Sequence, residues 1–414
     1  MDGAVPYTGV RGDAVMLKKF QKIMSLCLAV VLSMTALCLF SASAETTLPI
    51  SENAPTESPD LGLNCKSAVL MEASTGKILY AQNPEEAMPP ASVTKIMTLL
   101  LVMEAMEAGK LSMDDMITAS AHAASMGGSQ IFLKEGEQMS ARDMIKSVVI
   151  SSANDAAVAL AEHVAGSEAA FVEAMNQRAT ELGMKNTRFE NTNGLDDTAQ
   201  NHVTSAKDIA IMSRALIAHE EILEYSATWM DTIRNGAFGL TNTNRLVRFY
   251  RGCNGLKTGS TQKAGFCVSV TAQREGMTLI CVIMGAESRD IRNAAATQLL
   301  DWGFANYGLY TCEERNADAL EPIRVTGGKL MEMKISYPAF SCVLPKGDVT
   351  AVEQKLMLPP SVAAPIHQGE TVGEVVYLCR GKEIGRVAIS ACETSERIGF
   401  FGVFARLLAK FLLI

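Results

Sequence analysis

The sequence predicts an α+β fold: a sheet built from strands at the two ends of residues 62–312, helices between them, a small all-β domain over 316–394, and a C-terminal amphipathic helix. Three observations carry this. Apolar, β-branched runs occur near Ala68–Tyr80 and again over Phe266–Met284, while apolar residues recur at helical spacing from about Ser92 to Ala218. That order suggests a sheet joining N- and C-terminal strands around a helical cluster. From about Asn316 the pattern turns to short strands broken by Gly and by Pro338, Pro345, Pro359, Pro360 and Pro365. With 414 residues, 48% of them hydrophobic and 20% charged, the chain has length for two domains and apolar material for their cores.

Taken in order, the N-terminus reads as an export signal. Lys18, Lys19 and Lys22 precede an apolar run, Ile23–Phe40, and Ala42-Ser43-Ala44 supplies a small-residue cleavage pattern. Cleavage after Ala44 is expected, with a retained anchor as the alternative and Met16 as a candidate start. Leu37 before Cys38 disfavours a lipoprotein. Residues 45–61, rich in Ser, Thr, Glu and Pro, read as a flexible lead-in. Ala68–Tyr80 reads as a hairpin turning at Ser74-Thr75-Gly76. Helices are expected over Ser140–Ile150, Asp155–Val164 and Glu168–Leu182, with Gly109, Gly166 and Gly183 as stops. Phe266–Ala272 and Met277–Met284 form strands about an Arg274-Glu275-Gly276 turn, and Ile291–Phe304 is a further helix. In the final stretch, Arg397–Ile414, Gly399, Gly402, Arg406 and Lys410 share one stripe against a Phe- and Leu-rich remainder. No acid follows Glu396. This fits a cationic helix lying in a membrane interface.

The net charge of −8 argues against nucleic acid, whose phosphates need a basic surface. Two of the ten cysteines fall in the signal. Cys65, Cys253, Cys267, Cys281, Cys312, Cys342, Cys379 and Cys392 sit singly in apolar strand-like runs without CxxC spacing, so most are expected as unpaired thiols. No metal or cofactor is expected.

The chemistry starts from what is missing. There is no G-x-S-x-G, no H-E-x-x-H, and the five histidines are scattered. A serine hydrolase without a histidine base can use lysine, provided burial or nearby positive charge lowers its pKa from about 10.4. Ser92-Val93-Thr94-Lys95 offers that pair: if a helix starts at Ser92, Lys95 lies one turn on, on the same face. S-x-x-K alone is weak, as are Ser152-Ala153-Asn154 and Lys257-Thr258-Gly259 alone. In this order the three are strong, and they resemble the penicilloyl-serine transferase group. Within it, "PPASVTKIMT", "SSANDAAVALAEHVAG", "LGMKNTRFENTNGLDD", "GLKTGSTQKAGFC" and "LLDWGF" resemble the low-molecular-mass D-alanyl-D-alanine carboxypeptidases across about residues 62–310, with "GFFG" extending the likeness to the anchor.

The resemblance implies a β-lactamase/transpeptidase-like domain that removes the terminal D-alanine from peptidoglycan stem peptides and is acylated by β-lactams. It implies Ser92 as nucleophile and Lys95 as its base. Ser152 would relay a proton, and Asn154 would hold Lys95 or the substrate amide. Lys257 and Thr258 would bind the terminal carboxylate, and Gly259 would let the substrate strand lie close to the backbone. The N–H groups of Ser92 and Ser260 would form the oxyanion hole, and Arg292 would sit near the carboxylate end or be an ordinary surface arginine. Ser260 stands where some members carry histidine. A class A β-lactamase would add a glutamate-bearing loop, whereas Glu220 and Glu221 fall in a helical run. The same serine could instead serve transpeptidase or endopeptidase chemistry, and a wall-binding protein without catalysis would use the cleft for recognition only. The expected place is the outer face of the cytoplasmic membrane, with residues 397–414 on its surface.

Overall fold

A computed structural model of the chain describes residues 58–195 and 199–412. The expected export signal, residues 1–44, and most of the lead-in lie outside the described residues.

The sheet is antiparallel and five-stranded. Its strands are β1 (Ser67–Glu72), β2 (Ile78–Gln82), β3 (Cys253–Thr261), β4 (Gly265–Arg274) and β5 (Met277–Ala286), in the order β2-β1-β5-β4-β3. The expected joining of N- and C-terminal strands is therefore the β1–β5 pair. The β1–β2 turn is held by Glu72, whose carboxylate accepts from the N–H groups and hydroxyls of Ser74 and Thr75. Glu275 and Gly276 both have positive φ, the geometry whose twist matches a two-residue β4–β5 connection.

Both faces of the sheet are covered. Val69, Met71, Ile280, Val282 and Met284 face the helical cluster. Leu70, Leu279, Cys281 and Ile283 face the helix Arg289–Asn306 through Ala295, Ala296, Leu299 and Leu300. The alternation of inward side chains along each strand thus buries two cores with one sheet.

The cluster is built from α1 (Lys95–Glu107), α2 (Asn154–Ala165), α3 (Glu168–Glu181) and α4 (Ala206–Ile217); the covering helix Arg289–Asn306 is α5. Ser167, Ser205 and Ser288 each accept the N–H three residues on and cap α3, α4 and α5. Gly109, Gly166 and Gly183 take left-handed φ just past α1, α2 and α3, as their placement in the sequence suggests. Two starts and stops differ from expectation. The chain over Ala91–Thr94 is a tighter 3₁₀ turn, and α1 begins at Lys95. The segment read as one helix over Ser140–Ile150 is α-helical only to Lys146, then widens over Ser147–Ser151. Ser147 and Ser151 each donate their hydroxyl to the carbonyl four residues back, a competition that distorts a helix.

Strand β6 (Tyr307–Cys312) follows α5 directly and pairs with β7 (Phe340–Pro345), so pairing with the C-terminal all-β domain begins ahead of residue 316. That domain's larger sheet carries β8 (Val352–Met357), β9 (Thr371–Cys379) and β10 (Lys382–Ala391). Its core holds Ile335, Val375, Tyr377, Ile389 and Ala391, with Phe340 stacked on Tyr377 at 4.0 Å between centroids. All eight cysteines among the described residues are free thiols; Cys267, Cys281 and Cys379 are buried.

The last helix, α6 (Phe400–Phe411), has no buried residue. Arg406 donates to the carbonyls of Gly328 and Lys329, which turns the polar stripe to the β domain. Phe401 and Phe411, 84% and 88% exposed, stand uncovered with Phe400, Phe404 and Leu407. Among the described residues no helix is long and apolar enough to cross a membrane.

Candidate active site

Three separate stretches meet at the edge strand β3. The first is the 3₁₀ turn that carries Ser92, entered through Ala91 with φ of 49°. Lys95, one turn on, points its Nζ back to Ser92 Oγ at 3.0 Å. The same Nζ lies 2.6 Å from Asn154 Oδ1 and 2.7 Å from the Asn193 carbonyl oxygen. Lys95 is wholly buried.

The second stretch is the junction Ser151–Asn154. Ser152 adopts left-handed φ of 64° between the widened turn and α2, and this brings both Ser152 and Asn154 to the cleft side. Asn154 is locked at both ends of its amide: Oδ1 faces Lys95 and Nδ2 donates to the Gly127 carbonyl at 2.6 Å. Its backbone N–H donates to Ser129, and the neighbouring Asp155 carboxylate accepts from the N–H groups of Ile131 and Leu133. The start of α2 thereby holds the loop that lines one wall.

The third is β3 itself. Lys257 Nζ donates to Ser152 Oγ at 2.9 Å and to the Thr258 carbonyl at 3.0 Å. Thr258 Oγ1 donates to Thr243 Oγ1 at 2.8 Å. A Cβ on Gly259 would come within 2.8 Å of Pro90 O and Ser92 N and 2.9 Å of Val93 N. The Ser92 turn itself thus comes close enough here to require glycine. Arg292, in the first turn of α5, is only 3% exposed and donates to the Cys267 carbonyl, so it is not a surface arginine. Ser92, Ser152, Thr258, Gly259, Ser260 and Arg292 all line one cleft of about 600 Å³. Ser260 is exposed at its rim.

The cleft's electrostatics follow from burying cations beside one another. Burial, and then the charge of Lys257, hold the Lys95 amine well below its ordinary range. Burial, and then Arg292, bring Lys257 down to about 7. Burial, and then Arg289, bring Arg292 down to about 10. Desolvation is the larger cause in each case. A neutral Lys95 fits its surroundings well. Asn154 Oδ1 and the Asn193 carbonyl can only accept, so two N–H bonds point to them and the lone pair is left toward Ser92 Oγ. No group of three or more His, Cys, Asp or Glu among the described residues could hold a metal.

All nine site residues expected from sequence thus lie in one region. Several neighbours were not anticipated. Asn193 contributes through its backbone carbonyl, which leaves no side-chain signal. Thr243, Trp229, Phe249, Arg245 and Arg289 reach the cleft from segments without a motif.

The depressed lysine makes a stability prediction. Between about pH 7 and 10.5 the unfolded chain binds a proton at Lys257 that the folded chain releases, so this group makes stability rise with pH across that window. Lys257→Met should therefore be more stable than the parent below pH 7. The gap should close toward pH 10.5 by at most roughly 1.4 kcal/mol per pH unit. Urea unfolding at several pH values measures it; a gap independent of pH would contradict the depressed amine.

Comparison with known proteins agrees with this geometry. Residues 52–288 match the Peptidase S11 family model, D-alanyl-D-alanine carboxypeptidase. Residues 316–397 match the model of the C-terminal domain of penicillin-binding protein 5. The chain is 41% identical over 353 residues to the D-alanyl-D-alanine carboxypeptidase DacF of Bacillus subtilis, covering 84% of this chain and 90% of that one. It is 34% identical over 349 residues to DacC of Escherichia coli, covering 82% and 86%. Penicillin binding protein 5 from Haemophilus influenzae superposes with a TM-score of 0.71 at 31% identity, over 83% of this chain and all of that one. With a lysine-paired serine at the head of a buried helix, and this likeness along both domains, the chain belongs to the Peptidase S11 family of serine D-alanyl-D-alanine carboxypeptidases.

Proposed function

We propose that Ser92 is the acylated nucleophile and Lys95 its general base. The observation that carries this is the 3.0 Å Nζ–Oγ contact of a buried amine whose other two partners are acceptors only. Neutral Lys95 takes the Ser92 proton as Oγ attacks the penultimate D-alanine carbonyl carbon. The oxyanion is received by the backbone N–H groups of Ser92 and Ser260, both of which border the cleft. Ser152 Oγ accepts from Lys257, which leaves its own proton free for the departing D-alanine nitrogen; the proton Lys95 took from Ser92 then replaces it on Ser152, and Lys95 is neutral again for the water step. Asn154 holds Lys95 in place. Water then hydrolyses the ester and Ser92 regains its proton. Lys257, Thr258 and Arg292 read the terminal carboxylate, and an anion entering there keeps Lys257 protonated.

The same reading extends to the whole chain. Residues 1–44 direct export and are removed, 45–61 lead in, 62–312 form the catalytic domain and 316–394 the small β domain. Residues 397–414 attach the enzyme to the outer face of the cytoplasmic membrane, where stem peptides are within reach of the cleft. What supports attachment is the uncovered Phe and Leu face of α6 opposite Arg406. Burying such a face contributes roughly 25 cal/mol per Å² of apolar area, and Lys410 is left for anionic head groups.

Three experiments follow. Ser92→Ala should abolish covalent labelling by fluorescent penicillin while the variant stays folded; persistent labelling would remove Ser92 from the role. Peptides amidated at the C-terminus should lose roughly 10- to 150-fold in kcat/KM against the free acid, the worth of a charged hydrogen bond. Equal values would refute carboxylate reading. A chain ending at Glu396 should cleave small peptides at the parent rate but cease to sediment with anionic vesicles, and continued sedimentation would place the anchor elsewhere.

A further inference from the structure

The turn that presents Ser92 is held in an unfavourable shape. Ala91 has φ of 49°, a region that residues with a Cβ rarely adopt and that persists only where the surroundings impose it. On one side the turn meets strand β3 at Gly259, and on the other it meets the stretch of chain between Phe189 and Thr204. The Thr192 carbonyl accepts from Thr98 Oγ1 at 2.5 Å, and the Asn193 carbonyl accepts from Lys95. Gly194, with φ of 83°, presses its Cα so closely on the Ala91 carbonyl that no Cβ could fit.

The fourth contact is a directed relay. His202 Nδ1 accepts the Glu190 N–H at 3.0 Å, so the ring proton resides on Nε2. Nε2 lies 2.7 Å from Thr94 Oγ1 and donates to it. The Thr94 hydroxyl proton is then available for the Ala91 carbonyl, 2.8 Å away. Ala91, Thr94 and His202 are all buried. Each member polarises the next, and bulk water does not compete. Thr94 and His202 are buried, and their polar atoms are taken up by Ala91, by each other and by the Glu190 N–H, so neither is placed to touch substrate.

We propose that Thr94 and His202 are positioning residues: the relay from Glu190 N–H through His202 and Thr94 to the Ala91 carbonyl holds Ala91 left-handed and thereby sets Ser92 Oγ against Lys95. This rests on Ser92 being the acylated serine. A purely structural role would lower stability and leave the chemical step of the folded enzyme unchanged. A positioning role slows acylation itself, because a misplacement of about 1 Å can cost on the order of 100-fold.

The test uses full-length enzyme and a fluorescent penicillin. It separates the limiting acylation rate from the half-saturating concentration, with thermal melting in parallel. Thr94→Val, isosteric but without the hydroxyl, should lower the limiting rate roughly 10- to 100-fold and shift half-saturation by less than about two-fold. Thr94→Ser should restore the rate to within about three-fold of the parent. His202→Gln carries an amide donor that reaches the Nε2 position and should outpace His202→Asn, whose amide reaches only Nδ1. This ordering decides the matter even if Thr94→Val does not fold. A folded Thr94→Val acylating at the parent rate, a Thr94→Ser as slow as the valine variant, or His202→Asn matching His202→Gln would each overturn the proposal. Labelling of the Ser92→Ala control, or none of the parent enzyme, would instead defeat the Ser92 assignment.

Discussion

The structure is organised around one buried amine. Lys95 is wholly enclosed and can exist there only if every hydrogen-bonding direction of its Nζ is met. Ser92 Oγ, Asn154 Oδ1 and the Asn193 carbonyl meet them from three distant parts of the chain. Removing any of the three would leave a buried polar group unpaired, so the constraint ties α1, the start of α2 and the stretch before His202 to one another. The same enclosure depresses the amine. A group costly to bury as a cation is, for the same reason, inclined to be a base.

A second cation repeats this logic next door. Lys257 is as deeply buried, with Ser152 Oγ and the Thr258 carbonyl as partners, and Arg292 adds positive charge behind it. An end of the cleft lined by Arg292, Arg289 and Arg245, with Lys257 behind Ser152, is prepared for an anion. The fold delivers Lys257 on edge strand β3, whose open side is left to the Ser92 turn and the cleft, and Arg289 and Arg292 on the first turn of α5. Gly259 is the point where strand and turn touch, and there the absence of a Cβ is a packing requirement. The β domain contributes none of the cleft-lining residues. It meets α6 through Arg406 and the carbonyls of Gly328 and Lys329.

Much of this is legible in the amino-acid sequence because the signals are local. Strand alternation near Ala68 and over Phe266–Met284, glycines past α1, α2 and α3, and the phenylalanine-rich end after Arg397 all act within a few residues of themselves. The triple of S-x-x-K, S-x-N and K-T-G is equally local in each part, and its order along the chain carries its meaning. Where local chemistry competes with itself, expectation and structure part: Ser147 and Ser151 look compatible with a helix, yet their hydroxyls bond backward and open it.

By itself, then, the sequence determined the α+β order, the pairing of Ser92 with Lys95 one turn on, and the residue types that could read a carboxylate. Only the tertiary structure decided that Arg292 is buried against the cleft, that Gly259 yields to the Ser92 turn, and that Asn193 acts through its backbone. It alone brought His202 to the Ala91 carbonyl by way of Thr94. A backbone carbonyl is the same in every residue, and a burial or a close approach belongs to a pair of segments. Neither leaves a mark in a local pattern; both appear when chain stretches separated by tens of residues must share one dry interior.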